Sequence, residues 1–361
     1  MSVTRLPEGA RGTAPGGVGD GHARGASAWA SVAPWIAAQA LRILAQPGHA
    51  WLLQGPSGLG QYDLALCLAK AWLCEQPSPQ GACGQCASCH AIEVRTHADL
   101  AVLMPETVML ERGWPLGEKA QGEIDDKKRK PSREIRIEAM REVIEFAQRT
   151  SARGQGKVVL IFPAERMNHV TANALLKTLE EPPGDVRFVL ASEAAHQLLP
   201  TIRSRCLGHT MTWPETGPAS QWLEGQGVAA KDARSLLRLC GDRPDDALRL
   251  SRTGRDASDW NRLPRALARG ESSALDGIAP PQAIALLQKL CHDLLSRQFG
   301  AMPRFFEVTD LPEVVGVGSV ARLTAWSRTL TRAARTAEHP FNPGLMLEDL
   351  VAQAHQTLHL P

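Results

Sequence analysis

At 361 residues the chain is too long for one compact core, so its length predicts two or three domains. A formal net charge of +2 with 22% charged residues excludes a strong overall attraction to nucleic acid. The sequence has no apolar run of the length that a transmembrane helix requires. Residues 1–26 are rich in Gly, Ala and Arg and lack the apolar core of a secretion signal, so we expect a disordered tail there.

The cysteines indicate the cellular compartment. Four of the eight lie between residues 74 and 89, and the others are scattered through apolar, helix-like contexts. One dense group fits a metal site in a reducing compartment better than a secreted disulfide framework. We therefore expect a cytoplasmic protein.

The first predicted elements are a helix, a strand and a second helix. An amphipathic helix is predicted over Trp29–Leu44, a short apolar strand over Ala50–Gln54, and a helix with one buried face over Asp63–Trp72. A glycine loop joins the strand to the second helix, which is the structural context of a phosphate-binding loop.

The glycine loop keeps the glycines of a phosphate-binding loop and lacks its chemistry. In the sequence G-x-x-x-x-G-K-[ST], backbone N–H groups hold the phosphates, the lysine reaches the β- and γ-phosphates, and the hydroxyl binds Mg²⁺. Gly55 and Gly60 are in place. Gln61 stands where the lysine belongs, and Tyr62, at the hydroxyl position, is too long to ligate Mg²⁺. The segment alone is either a chance glycine turn or a nucleotide site that no longer hydrolyses ATP.

Four cysteines follow with the spacing C-x8-C-x2-C-x2-C: Cys74, Cys83, Cys86 and Cys89. Four thiolates suit tetrahedral Zn²⁺, and separations of two residues allow successive sulfurs to turn toward one ion. The alternative is a set of buried or free cysteines. His90 and His97 lie outside this spacing and are not expected to be ligands. Because no general base is near, we expect structural zinc, which contributes on the order of 10 kcal/mol to folding.

The segment 106–134 is polar and rich in Gly and Lys, and it is predicted to be an insertion. Its basic run, Lys127–Lys130, is of a kind that binds nucleic acid. Asp125 and Asp126 precede the run directly, so a solvated insertion is the preferred interpretation.

A second set of ATPase residues is also missing. The apolar segment Lys157–Phe162 is predicted to be a strand buried in a parallel sheet. In an ATPase such a strand ends in Asp-Glu, which help to hold Mg²⁺ and to activate the attacking water. Phe162 and Pro163 occupy these two places. Two separate losses are explained more simply by an ATPase that has lost its activity than by two accidents.

The remaining elements predict an α/β domain followed by helices. Strands are predicted over Asp99–Met104 and Val186–Ser192, and helices over Ile135–Arg149 and Thr171–Glu181. Strands that alternate with helices indicate a parallel α/β sheet.

After Thr212 the pattern is helical. A small helical lid domain is predicted over 211–254 and an all-α collar or oligomerisation domain over 255–361. The collar includes helices at Pro281–Gln298 and Ser319–Thr336, whose apolar stripes fit an oligomer interface and a private core equally well.

Two motifs resemble the clamp-loader branch of the AAA+ ATPases. They are Asn173–Pro183, which is NALLKTLEEPP, and the tripeptide Ser204-Arg205-Cys206. Two further features narrow the resemblance to the inactive stator subunits of bacterial DNA polymerase III clamp loaders. One is the glycine loop that lacks a lysine, and the other is the group of four cysteines. The likeness runs from about Trp29 to the C-terminus and includes Asn342–Glu348, which is similar to the final collar helix of that family.

The resemblance implies an AAA+ core with a RecA-like parallel sheet over 27–210, into which the zinc knuckle 74–89 is inserted. It implies a stator role in a heteropentamer with gamma/tau ATPase subunits and a delta subunit, which loads the sliding clamp onto primed DNA. That assembly belongs to the DNA polymerase III holoenzyme, a DNA-directed DNA polymerase. The resemblance also implies that this chain neither binds nor hydrolyses ATP by itself.

In the family, the arginine of the Ser-Arg-Cys tripeptide is a finger that acts in trans on the ATP of the adjacent subunit. Carried over, that residue is Arg205, supported by Ser204. A guanidinium is always charged, its planar fork matches phosphate oxygens, and such fingers are worth about 10³–10⁵ in rate. Arg203 competes for the role, and a structural ion pair is the alternative for both. Asp245 falls where active members carry a sensing arginine, which again argues against ATP binding.

Two other functions compete with the stator role. One is a self-sufficient AAA+ ATPase with unusual nucleotide ligands. The other is a zinc-knuckle module that binds DNA, which calls for basic and aromatic residues interleaved around the cysteines. Trp72 and Lys70 are nearly the only such residues close by, so the sequence argues against that module.

Overall fold

The computed structural model describes residues 32–314, 318–337 and 342–359. The predicted tail over 1–26 and the first residues of the helix predicted from Trp29 lie outside these ranges. Among the residues described, no helix is both long and apolar enough to cross a membrane.

A five-stranded parallel sheet forms the core of the N-terminal half. Its strands are β1 (Ala50–Gln54), β2 (Leu100–Leu103), β3 (Lys157–Ile161), β4 (Val186–Ser192) and β5 (Leu207–Thr210). They lie in the order β2-β3-β4-β1-β5, and every pairing is parallel. β3 is buried along its whole length, as its continuous apolar sequence predicts. The prediction of a parallel α/β sheet is confirmed.

Helices cover both faces of the sheet. They are α1 (Pro34–Leu44), α2 (Gln61–Trp72), α3 (Ala87–Glu93), α4 (Glu106–Glu111), α5 (Glu118–Asp125), α6 (Ile137–Gln148), α7 (His169–Glu180) and α8 (Pro200–Arg203), with 3₁₀ turns at Ala164–Arg166 and Ala195–Gln197. Successive side chains of a strand point to opposite faces. Leu53 of β1 therefore packs with α1 and α2, whereas its neighbour Leu52 packs with α6 and α7.

Two helices begin slightly before their predicted starts, and local geometry accounts for both. α2 begins directly after Gly60, whose φ of +87° is a left-handed conformation that glycine adopts without strain. α7 begins at His169 because the Asn168 side chain accepts a hydrogen bond from the N–H of Thr171 at 3.0 Å.

The register of the sheet brings three chain segments together at one edge. Gln54 at the end of β1 pairs with Ser192 at the end of β4, and β3 lies directly beside β4. Parallel strands end at the same edge of a sheet. The glycine loop after β1, the Phe162-Pro163 peptide after β3 and the turn after β4 are therefore neighbours.

Among the described residues after β5, all the regular secondary structure is helical. The helices are α9 (Thr216–Gly225), α10 (Ala230–Leu239), α11 (Pro244–Ser251), α12 (Ala257–Ala268), α13 (Pro280–Gln298), α14 (Ser319–Thr336) and α15 (Pro343–His359), with a 3₁₀ turn at Ser272–Leu275. Their buried residues form one cluster that runs from Ala219 to Leu358. Leu290 of α13 and Leu323 of α14 are fully buried in it, so the apolar stripes of these two helices pack inside this chain.

The insertion over 106–134 is tied to the rest of the core. None of the residues of α5 is buried, as expected of a solvated insertion. Trp114, in contrast, is only 7% exposed and packs in the core beside α2. The buried carboxylate of Glu106 accepts a hydrogen bond from Arg129 at 2.8 Å, and Arg129 also donates to Glu123 at 2.7 Å. One member of the basic run is thus engaged in structural ion pairs.

Candidate functional site

The glycine loop between β1 and α2 is closed by one of its own side chains. The amide of Gln61 donates to the carbonyl oxygens of Gly55 at 3.0 Å and Pro56 at 2.7 Å. Gln61 is only 2% exposed. The lysine of a working loop extends toward the phosphates instead. The side chain at the lysine position therefore stabilises the loop itself and offers no positive charge to a phosphate.

An arginine and three aromatic side chains meet beside the glycine loop. Tyr62 and Phe162 stand at the positions of the Mg²⁺ ligands, and their ring centroids are 5.5 Å apart. The guanidinium carbon of Arg112 lies 4.1 Å from the ring centroid of Tyr62 and 5.0 Å from that of Phe162, which is a cation–π arrangement. The indole N–H of Trp114 donates to the Tyr62 hydroxyl at 2.7 Å. Burial raises the pKa of that hydroxyl above its ordinary value, so it stays neutral.

Helix α11 brings a carboxylate against the glycine loop. A Cβ atom on Gly58 would lie 2.6 Å from the carboxyl carbon of Asp246, so only glycine fits at this contact. Arg243, just before α11, donates to the hydroxyl of Ser57 at 2.8 Å and pairs with Asp246 at 3.0 Å. The loop is thus joined to α11 through this chain's own side chains.

Asp245, which the sequence places at the position of the sensing arginine, lies at the same loop. Its backbone N–H donates to the carbonyl oxygen of Gly58 at 3.3 Å. Burial, and then the nearby Asp63 carboxylate, raise the pKa of Asp245 to about 7. In its ionised form, this carboxylate would repel a phosphate at the loop.

A cavity of about 530 Å³ remains beside the loop. Its apolar side includes Val32, Ile36 and Trp222, and its polar side includes Asp63 and Arg249. The volume is that of an ordinary small-molecule pocket. The cavity beside the loop is therefore large enough for a small molecule.

The segment after β3 carries no metal ligand at either predicted position. Phe162 is 4% exposed and belongs to the core, and the peptide that joins it to Pro163 is cis. The next carboxylate along the chain, Glu165, accepts hydrogen bonds from the Ser192 hydroxyl at 2.8 Å and the Glu193 N–H at 3.1 Å. It is engaged in closing the turn after β4.

The four predicted zinc ligands come together in one group. The sulfurs of Cys74, Cys83, Cys86 and Cys89 all lie within 4.8 Å of one another. Cys74 is 3.9 Å from Cys86 and 3.8 Å from Cys89, and Cys83 is 4.0 Å from Cys89. Tetrahedral zinc with Zn–S bonds of about 2.3 Å requires sulfurs about 3.8 Å apart. The donor set and its spacing therefore fit a structural zinc ion.

Backbone N–H groups support the same four sulfurs. The N–H of Cys83 donates to the Cys74 sulfur at 3.2 Å, and the N–H of Cys86 donates to the Cys83 sulfur at 3.3 Å. The N–H of Gln85, followed by that of Cys86, lowers the pKa of Cys83 to about 6. A thiolate is the form that binds metal. His97 lies outside the group, since its ring nitrogens bond the Ser88 hydroxyl and the Asp99 N–H.

Arg205 lies at the surface in an ion pair with its own chain. Its Nε and Nη2 both donate to Oε2 of Glu180, at 3.0 and 2.8 Å, and its Nη1 donates to the carbonyl oxygen of Thr201 at 3.2 Å. The hydroxyl of Ser204 donates to the same carbonyl oxygen at 3.2 Å. The competing Arg203 is exposed, and its side chain has no hydrogen bond or ion pair with the residues that the structure describes.

Three residues of these sites did not emerge from the sequence. Arg112 and Trp114 belong to the insertion, and the signal that points to them is a tryptophan inside an otherwise polar segment. Glu180 belongs to the Asn173–Pro183 motif, but its contact with Arg205 depends on the return of the chain through β4 and α8.

Comparison with known proteins gives one consistent result. Residues 41–212 match the family model described as DNA polymerase III, delta subunit. DNA polymerase III subunit delta' of Pseudomonas aeruginosa is 38% identical over 229 residues, which cover 62% of this chain and 63% of that protein, just under two thirds. The delta' subunit of Escherichia coli is 32% identical over 282 residues, which cover 74% of this chain and 77% of that protein.

Among solved structures, a DNA polymerase III gamma subunit-related protein from Thermotoga maritima aligns with a TM-score of 0.47 and 19% identity, covering 90% of this chain and 99% of that chain. The sequence matches place this protein in the class of DNA polymerase III subunits with a parallel α/β core. The chain belongs to the DNA polymerase III subunit delta' family, as its motifs predict.

Proposed function

We propose that this chain is the non-ATPase stator subunit of a DNA polymerase III clamp loader and helps to load the sliding clamp on primed DNA. Its membership of the delta' family supports this role. The observation that carries the non-ATPase part is the stack of Arg112 on Tyr62 and Phe162 at the metal position. The chain contributes to the assembly as a component of the polymerase holoenzyme, not through an ATPase site of its own.

Three features of the loop argue against nucleotide binding. Gln61 bonds the loop carbonyls, the guanidinium of Arg112 takes the place of the metal, and Asp245 faces the phosphate position. A self-sufficient ATPase would need a different set of phosphate and metal ligands at this edge of the sheet. The positive charges present there are already engaged: Arg112 stacks on aromatic rings, and Arg243 and Arg249 pair with Asp246.

The four clustered cysteines would hold Zn²⁺ in a closed structural site. The ion would supply folding energy to the loop between α2 and α3, which has a small apolar core of its own. All four ligands are thiolates, so no position remains for a reacting water.

We assign the active role of the chain to Arg205, as an arginine finger that acts on ATP bound by the adjacent subunit. The side chain is 31% exposed, and its guanidinium carries the permanent charge and planar fork that the role requires. Ser204 supports Arg205, because the Ser204 hydroxyl and Nη1 of Arg205 donate hydrogen bonds to the same carbonyl oxygen of Thr201. The ion pair with Glu180 is compatible with this role because it leaves part of the guanidinium uncommitted.

The proposed partners are the gamma/tau ATPase subunits and the delta subunit in a heteropentamer, with the sliding clamp and primed DNA reached through that complex. The chain would consist of an AAA+ core over 27–210, a lid over 211–254 and a collar over 255–361. The collar would hold the subunits of the ring together. Such an assembly acts in the cytoplasm.

Reconstitution of the complex tests the proposal. Arg205→Ala is expected to leave assembly intact, as measured by the mass of the complex, and to depress ATP hydrolysis by the adjacent subunit. Arg203→Ala is the matched control, because this arginine lies in the same exposed segment and has no partner among the described residues. Normal hydrolysis by the Arg205→Ala complex at every stage of clamp loading would contradict the trans role.

A further inference from the structure

Glu180 holds the guanidinium of Arg205 in a defined way. One carboxylate oxygen, Oε2, accepts from Nε at 3.0 Å and from Nη2 at 2.8 Å. The carbonyl oxygen of Thr201 accepts from Nη1 at 3.2 Å. Both acceptors belong to residues of helices: Glu180 is the last residue of α7, just before Pro182-Pro183, and Thr201 lies in α8.

Two N–H groups of the Arg205 guanidinium are not used by the hydrogen bonds to Glu180 and Thr201. A guanidinium has five N–H groups: one on Nε and two on each Nη. Three of them donate to Glu180 and Thr201. The two that remain are one on Nη1 and one on Nη2, so each terminal nitrogen keeps one donor for an anion.

We propose that Glu180 is the positioning residue for Arg205, and that it presents the remaining Nη1 and Nη2 donors to a phosphate of the neighbouring subunit. The inference rests on the proposed trans role of Arg205. An unheld arginine side chain loses much rotamer freedom when it is ordered. The ion pair with Glu180 orders the Arg205 side chain before the neighbouring subunit binds ATP. Less conformational entropy is then lost when the arginine contacts the phosphate.

A merely structural role fits the geometry less well. The side chain of Glu180 is 59% exposed and that of Arg205 is 31% exposed. Exposed ion pairs contribute little to folding stability. Loss of the Glu180 carboxylate should therefore leave the thermal unfolding midpoint of the chain close to that of the wild type.

Three variants in the reconstituted complex test the inference: Glu180→Ala, Glu180→Gln and Glu181→Ala. ATP turnover is measured in a complex in which only the ATPase subunit adjacent to this chain keeps its catalytic residues. Glu180→Ala is expected to lower kcat about tenfold, with KM changed less than about twofold, because the bracing affects the transition state more than ATP binding. Glu180→Gln should retain most of the activity, since a single acceptor oxygen receives both bonds in the wild type. Glu181→Ala, the adjacent exposed acid, should behave as the wild type.

The outcomes separate this inference from the proposed function. A loss of activity in Arg205→Ala, together with wild-type or higher activity in Glu180→Ala, would overturn the positioning role and leave the arginine finger intact. Higher activity in Glu180→Ala would show that the carboxylate restrains the arginine instead of presenting it. Activity in Glu180→Gln as low as in Glu180→Ala would also overturn the inference. Wild-type activity in Arg205→Ala would reject the proposed function itself.

Discussion

Trp114 donates a hydrogen bond to the hydroxyl of Tyr62 at 2.7 Å, and this bond joins the insertion after β2 to the first turn of α2. Arg112 of the same insertion stacks on the Tyr62 ring. The insertion therefore supplies two of the groups that pack on the first turn of α2 beside the glycine loop. Tyr62 is the only tyrosine of the chain. Its side chain is long enough to accept the hydrogen bond from Trp114, and the same length makes it unsuitable as a Mg²⁺ ligand.

The Tyr62–Trp114 bond should be measurable as a coupling in stability. Tyr62→Phe leaves the buried indole N–H without its acceptor, which we expect to cost about 1–3 kcal/mol of unfolding free energy. Trp114→Phe leaves the hydroxyl without its donor. The double variant should lose less than the sum of the two single variants in urea unfolding. Additive losses would show that the bond is not formed.

Restoring the lysine and the hydroxyl of the loop should not restore ATP binding. In Gln61→Lys/Tyr62→Thr, the Asp245 and Asp246 carboxylates still face the loop, and Arg112 loses the Tyr62 ring but keeps its contact with Phe162. We expect no binding of labelled ATP by equilibrium dialysis at millimolar concentrations. The triple variant that also carries Asp245→Arg is measured for comparison. Tight ATP binding by the double variant, which keeps Asp245, would contradict the role given to Asp245.

The raised pKa of Asp245 predicts a pH-dependent stability. The group titrates near 3.8 in the unfolded chain and at about 7 in the fold. Between these values the fold retains a proton that the unfolded chain releases, so the contribution of Asp245 lowers stability as pH rises through this window. The stabilisation of Asp245→Asn relative to the wild type should grow from about pH 4 to pH 7 and then level off.

Urea unfolding of both proteins at several pH values checks this prediction. Asp125→Asn, on the exposed face of α5, is the control and should show no such growth. An equal effect of Asp245→Asn at pH 4 and pH 8 would show that its carboxylate is not destabilised in the fold.

The cysteine group predicts about one zinc ion per chain in protein purified under reducing conditions. Cys74→Ala should lose the metal and lower the thermal unfolding midpoint by about 10 °C, because the loop loses the ion that orders it. Cys206→Ser is the control, since Cys206 lies outside the group. Metal analysis without near-stoichiometric zinc in the wild type would contradict the site.

Local patterns predicted four of the five strands and the cysteine group, but not β5, whose sequence Leu-Gly-His-Thr has no apolar run. The continuous apolar run of β3 and the spacing of the cysteines each depend on residues that are close in sequence. The ends of helices were less predictable because they depend on single caps, such as Asn168 before α7. A pattern of side chains does not show which backbone group a cap will satisfy.

The side-chain contacts around the glycine loop could not be predicted, because they join segments that are distant in sequence. The sequence predicts that Gln61 and Tyr62 are unsuited to ATP. It does not predict that Arg112 stacks on Tyr62 from an insertion of polar composition. It likewise shows Arg205 in its motif without its bond to Glu180. Such pairings arise only when the sheet has set the positions of the loops that follow its strands.

The most direct test of the central claim is equilibrium dialysis of the isolated full-length chain with labelled ATP and Mg²⁺, together with a turnover assay. The claim is that this chain's own residues have replaced the phosphate and metal ligands of a nucleotide site. It predicts no saturable ATP binding at micromolar concentrations and no turnover. Micromolar binding with Mg²⁺-dependent hydrolysis would contradict it.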